Sequence, residues 1–159
     1  MWVAKRRGET RSNISPLPRP SMPMSYCDPF PAVRGSVLVL ENDVDLGPLL
    51  RDVLTMAGYD VFLAESSSEA LAQLSATSMA AAVLEWSTPD GSGEFVADRL
   101  LAHRIPYVVA SGSIGQHMLP ARHLWAPFLP KPYTITDLIT AVESSRGSGV
   151  PVEDRPASP

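Results

Sequence analysis

Ser36-Val37-Leu38-Val39-Leu40-Glu41-Asn42-Asp43 is the stretch whose reading decides the architecture of this chain. Val37 to Leu40 form an unbroken apolar run. A strand with one wet face alternates apolar and polar residues, whereas a strand covered on both faces is apolar throughout. Ser36–Leu40 is therefore expected to be a parallel strand buried between two layers, ending at three polar residues. From Asp43 onward, Leu46, Leu49, Leu50, Val53, Leu54 and Ala57 recur at helical spacing, and Gly58 supplies the stop.

The same unit repeats along the chain. Asp60–Ala64 reads as a second strand, and Ser66-Ser67-Ser68-Glu69 as a capping box before the helical residues Ala70, Leu71 and Leu74. Ala80–Leu84 is a third strand ending at Glu85. A Pro-Asp-Gly-Ser-Gly loop then leads to Phe95, Val96 and Leu100 of a third helix. Pro106–Ala110 and the short Pro127–Leu129 are the fourth and fifth strands. Thr134-Ile135-Thr136-Asp137 caps a last helix carrying Leu138, Ile139 and Val142. Between strands four and five, Gly115 and Pro120 leave room for one short helix at best. Such alternation predicts an α/β domain with a parallel sheet covered on both faces.

The flanks have a different composition. Residues 1–34 hold Pro16, Pro18, Pro20, Pro23, Pro29 and Pro31, which block helix and strand alike. They are expected to form a disordered, Pro-rich basic leader, and residues 147–159 a disordered tail, leaving 35–146 as the domain. The first 35 residues carry six basic side chains against Glu9 and Asp28. That is a net +4 in a chain of −4, so the rest carries −8. A domain this acidic is a poor match for nucleic acid. No apolar run approaches the ~20 residues of a membrane span. The single cysteine, Cys27, excludes an internal disulfide and a cysteine zinc cage and fits a reducing cytoplasm.

Ligands of open parallel sheets sit beyond the carboxyl ends of the strands. Here those ends offer Glu41-Asn42-Asp43, Glu85, Ser111-Gly112 and Pro130-Lys131-Pro132. An acid, a second acid, a hydroxyl and a Pro-flanked lysine compose one electrostatic site. Asp43 is expected to face the positive end of its helix and Asp90 to serve a turn. His103, His117 and His123 have no partners at ligand or catalytic spacing, so surface or packing roles are expected. Trp86 is placed to shield the site or offer a contact surface, and Trp125 to pack near the short fourth helix. Gly91-Ser92-Gly93 is a weak anion-binding signal, without the lysine or length of a phosphate-binding loop.

This constellation, over residues 36–146, resembles the receiver domain of two-component response regulators. The resemblance implies a flavodoxin-like, doubly wound sheet of five strands in the order 2-1-3-4-5, here with a shortened or irregular fourth helix. It implies that Glu41 and Asn42 match an acidic pair that binds magnesium, and Glu85 the aspartate that accepts a phosphoryl group from a histidine kinase. Ser111 and Lys131 match the hydroxyl and lysine that contact the phosphoryl oxygens, and Phe128 the aromatic that switches with the hydroxyl. Pro89, four residues beyond Glu85, matches the proline of the following loop.

Two departures shape the expectation. Glu85 is a methylene longer than aspartate, which carries its carboxylate toward where phosphoryl oxygens would lie. Asn42 lacks a charge that a hard cation prefers, so magnesium is expected to bind weakly or not at all. No cofactor is required on this reading. The chain is expected to be a stand-alone, atypical receiver acting by binding another signalling protein, a histidine kinase or regulator, without catalysis of its own. A homodimer is compatible; membrane and nucleic-acid partners are not expected. One alternative is a phosphorelay receiver with a weak magnesium site. Another is a small flavodoxin-like nucleotide or anion binder, disfavoured by the acids after strand one.

Overall fold

The computed structural model describes residues 32–152. The expected leader, apart from its last three residues, and the tail from 153 onward lie outside them. Five strands form the main sheet: β1 (Ser36–Leu40), β2 (Asp60–Ala64), β3 (Ala81–Leu84), β6 (Tyr107–Ser111) and β7 (Phe128–Pro130). They lie in the order β2-β1-β3-β6-β7, and every pairing is parallel. Counted without the small hairpin β4 (Ser87–Thr88) and β5 (Gly91–Ser92), this is the expected order 2-1-3-4-5. The helices are α1 (Leu46–Met56), α2 (Ser67–Ala76), α3 (Glu94–Ala102) and α4 (Ile135–Ser148).

The unbroken apolar strands follow from a core on each face. Leu38, Leu40, Ala82, Leu84, Tyr107 and Val109 pack on one side with Ala70 of α2 and Val96, Ala97 and Leu100 of α3. The alternate residues Val37, Val39, Ala81, Val83, Val108 and Ala110 pack on the other with Leu50 and Leu54 of α1 and Leu138 and Val142 of α4. Period-two alternation thus sends each strand's side chains into two different cores. Among the described residues, no helix is long and apolar enough to cross a membrane.

Several local expectations change. Strands three, four and five each start one residue later than their sequence patterns suggested, at Ala81, Tyr107 and Phe128. Leu49, expected in the core, is half exposed, because α1 turns it outward. The tail does not begin at 147: α4 continues through Gly147 to Ser148. Nor is Arg34 free of the domain. Its N–H donates to Gly58 O at 2.8 Å, its guanidinium pairs with Glu143, and its carbonyl accepts from Arg146. The capping box forms fully at Thr134 and Asp137. At α2 only half of it forms: Ser66 caps Glu69, while the Glu69 carboxylate accepts from Glu65 N–H. Between β6 and β7 no α-helix forms, only the single turns Gln116–Met118 and Ala121–His123.

Candidate functional site

The carboxyl edge of the sheet gathers the predicted residues. Glu41, Glu85 and Lys131 each follow the last residue of β1, β3 and β7. Their backbone N–H groups still donate to the neighbouring strand, to Ala64 O at 2.9 Å, Leu40 O at 2.8 Å and Ser111 O at 3.0 Å. The sheet therefore fixes where these side chains start, and Ser111 closes the set as the last residue of β6. Glu41, Glu85 and Ser111 are buried.

Glu85 uses both carboxylate oxygens. Oε1 accepts from Ser111 Oγ at 2.6 Å, Trp86 N–H at 2.7 Å and Ser87 N–H at 3.2 Å. Oε2 lies 2.8 Å from Lys131 Nζ. The same ammonium donates to Glu41 Oε2 at 2.6 Å, while Glu41 Oε1 accepts from Asp43 N–H. Burial pushes the Glu85 carboxyl up, but the bonds from Lys131, Ser111 and Ser87 outweigh it and hold it below the usual range. Burial likewise pushes Lys131 down, and the two glutamates reverse that and raise it. Both side chains therefore stay charged at neutral pH.

Above this ion triad lies a shallow cleft of about 320 Å³, lined by Asn42, Asp43, Ser87, Gly112 and Ser113 beside the three charged residues. Ser87 and Ser113 were not singled out in the sequence. Their hydroxyls bond each other at 2.6 Å, and Ser113 bonds Ser111 at 3.1 Å, so a chain of hydroxyls runs from the mouth to Glu85. Each lies two residues after a predicted site residue, the spacing at which a strand exit turns back on itself. Phe128 is half-buried and packs against the α2–α3 core.

The neighbouring acids do other work. Asp43 Oδ1 accepts the N–H groups of Asp45 and Leu46 at the start of α1, as expected of a residue facing the positive end of a helix. Asp90 is more than a turn residue. Its oxygens accept from Ser67 N–H, Ser68 N–H and Ser68 Oγ, capping α2 across the sheet edge. The hydroxyl and backbone bonds from Ser68, with that from Ser67, lower its pKa. Ser67 Oγ adds bonds to Thr88 and Ser92, which clamp the β4–β5 hairpin. Gly93 is a close-approach residue rather than an anion cradle. A Cβ there would lie 2.6 Å from Glu85 O, and its N–H already donates to Trp86 O.

His123 corrects the expectation of no partner. It is fully buried, bonding Tyr107 OH through Nδ1 at 2.6 Å and Asp98 through Nε2 at 3.0 Å. A neutral ring with the proton on Nε2 satisfies all three groups, and burial lowers its pKa in the same sense. Arg122 clamps Asp98 and Glu94 beside it. This network anchors the irregular segment onto α3, which sequence spacing does not reveal. Trp86 is buried edge-on against His123, so it offers no contact surface.

The magnesium implied by the family resemblance can be tested on these contacts. Asn42 is exposed and neutral, and Asp43 is turned to its helix. At this edge Glu41 and Glu85 converge, but they converge on the Lys131 ammonium. This donor set does not fit a hard divalent cation.

A five-stranded parallel sheet in this order, with helices on both faces, is the CheY-like, flavodoxin-like class of fold. The chain is similar to the non-phosphorylated HemR receiver domain from Leptospira biflexa, at 26% identity over 74% of this chain and 98% of that one, with a TM-score of 0.64. It is similar to the signal receiver domain of a putative Luxo repressor protein from Vibrio parahaemolyticus, at 25% identity, 72% and 91% coverage and a TM-score of 0.63. A CheY-like receiver domain from Methylobacillus flagellatus shares the fold, at 24% identity, 69% and 96% coverage and a TM-score of 0.59. No family model and no curated protein matches the chain. These neighbours support a signal-transduction receiver role.

Proposed function

We propose that this chain is an atypical receiver that signals by binding another protein and does not depend on accepting a phosphoryl group. One observation carries the reading: the Glu85 carboxylate already takes the lysine, the hydroxyl and the two backbone N–H groups of the site. These are the donors that would otherwise cradle an incoming anion, and they are satisfied by a charge built into the chain. An ion triad of this kind adds little net stability, because its members are desolvated. Its use is to hold the exits of β3, β6 and β7 in one arrangement, with Phe128 packed inward. The partner is a histidine kinase or another regulator of a two-component system, and the domain works in the cytoplasm without catalysis of its own.

The test compares the native chain with Glu85→Asp combined with Asn42→Asp, each treated with acetyl phosphate and magnesium and weighed intact. The shorter aspartate withdraws from Lys131 and the second change restores a charge, so the double variant gains one phosphoryl group and the native chain none. A stoichiometric, hydroxylamine-labile adduct on native Glu85 overturns the proposal in favour of an ordinary phosphorelay receiver.

A further inference from the structure

We infer that Glu94, Asp98 and His123 form a second site, sharing no residue with the ion triad, that takes one divalent transition-metal ion of the zinc type. The inference does not depend on how the triad is read. One ligand atom from each of these side chains lies within 4.8 Å of the other two. An imidazole nitrogen with two carboxylate oxygens is a zinc donor set, leaving a fourth position for water. Glu94 and Asp98 stand four residues apart on α3 and so share one face of it. The third donor is already oriented. His123 is fully buried and turns Nε2 to Asp98 at 3.0 Å, while the Tyr107 hydroxyl holds Nδ1 at 2.6 Å. A partner on the far ring nitrogen is how a metal-ligating histidine is fixed. Burial favours the neutral ring, which is the form that binds a metal. Both carboxylates are partly exposed, so water reaches the remaining coordination position. Arg122 now lies between them and bonds both, but it balances only one of their two charges. Its side chain is 38% exposed and can turn into water, whereas a divalent ion neutralises the pair. On binding, the ring proton moves from Nε2 to Nδ1, where the Tyr107 oxygen accepts it, and the ring stays neutral. The metal then joins α3 directly to the segment between β6 and β7 that forms no α-helix, so that the hold on this segment becomes metal-dependent.

Zinc is the probe, titrated calorimetrically into the full chain under reducing conditions, with the ring nitrogens of the three histidines followed by NMR. The native chain is expected to bind one equivalent at submillimolar zinc, the His123 proton moving to Nδ1 while the His103 and His117 rings stay unchanged. Asp98→Asn and Glu94→Gln should each weaken uptake at least about tenfold by removing a charged ligand. Arg122→Ala removes the competing cation and should tighten it. Zinc should also raise the melting temperature of the native chain and leave that of Asp98→Asn where it is. Glu94→Gln keeps the His123–Tyr107 bond and decides the matter if Asp98→Asn does not fold. A native chain that binds no zinc at these concentrations overturns the inference. So does zinc bound with the His123 ring unchanged, which is an adventitious ion only, held at Cys27, His103 or His117, and so does a folded Glu94→Gln variant that binds as tightly as the native chain.

Discussion

Replacing Glu85 by glutamine isolates the charge of the triad from its shape. The amide retains one acceptor oxygen but turns the other end into a donor. If that oxygen faces Ser111, Trp86 and Ser87, the NH₂ group points at the Lys131 ammonium; if it faces Lys131, the NH₂ group meets three donors. Neither orientation satisfies both sides. Removing one partner of a buried ion pair costs about 3–5 kcal/mol when the other is left alone. Here Lys131 keeps Glu41 at 2.6 Å and is 22% exposed, so a smaller loss of about 1–3 kcal/mol is expected. The assay is a double-mutant cycle of Glu85→Gln with Lys131→Met, measured by urea unfolding at neutral pH. Because the two groups touch directly, the cycle should return a coupling of about 1–3 kcal/mol. A coupling below about 0.5 kcal/mol would mean that the pair does not hold the loops together, and the account of the site would be wrong.

The acid limb of the stability profile should respond to the same residue. The Glu85 carboxyl is held below its ordinary 4.5, so its contribution is present above that pH and lost as the pH falls through the folded value. Glu85→Gln should therefore flatten acid unfolding; an unchanged slope would contradict the assignment. Some acid sensitivity should persist in that variant, because Asp43, Asp98 and Asp137 are held low by their own bonds. Asp90→Ala should speed hydrogen exchange at the Ser67 and Ser68 amides and in the β4–β5 hairpin, and unaltered protection there would refute the cross-edge cap. His123→Phe should cost about 2–4 kcal/mol in urea unfolding, since it leaves the buried Tyr107 hydroxyl without its partner. An unchanged midpoint would show that the hydroxyl finds another.

The architecture was legible because the apolar runs are short, continuous and separated by helical periods. Val37 to Leu40 predicts cover on both faces, and both cores are present. The site was legible at Glu41, Glu85, Ser111 and Lys131 because strand ends mark one edge of such a sheet. Which donor meets which acceptor was not, since those choices depend on loop paths. Ser87 and Ser113 join the hydroxyl chain only because the loops after β3 and β6 approach each other. Asp90 looked like a turn residue because its partners Ser67 and Ser68 are more than twenty positions earlier in the chain. His123 looked solitary for the same reason, being joined to Asp98 and Tyr107 across the segment that forms no α-helix. The domain limits shifted because Arg34 and α4 hold each other at the far edge, a contact with no local sequence pattern.

The central claim is that Glu85 keeps the site in one arrangement at all times. Relaxation dispersion on the unmodified chain tests it most directly, observed at the amides of Trp86, Ser87 and Ser113 and at the Phe128 ring. Flat profiles at all four positions are expected, with millisecond exchange appearing when Glu85→Gln weakens the hold on Lys131. Exchange between two states in the native chain, at Phe128 together with the three amides, would contradict the claim.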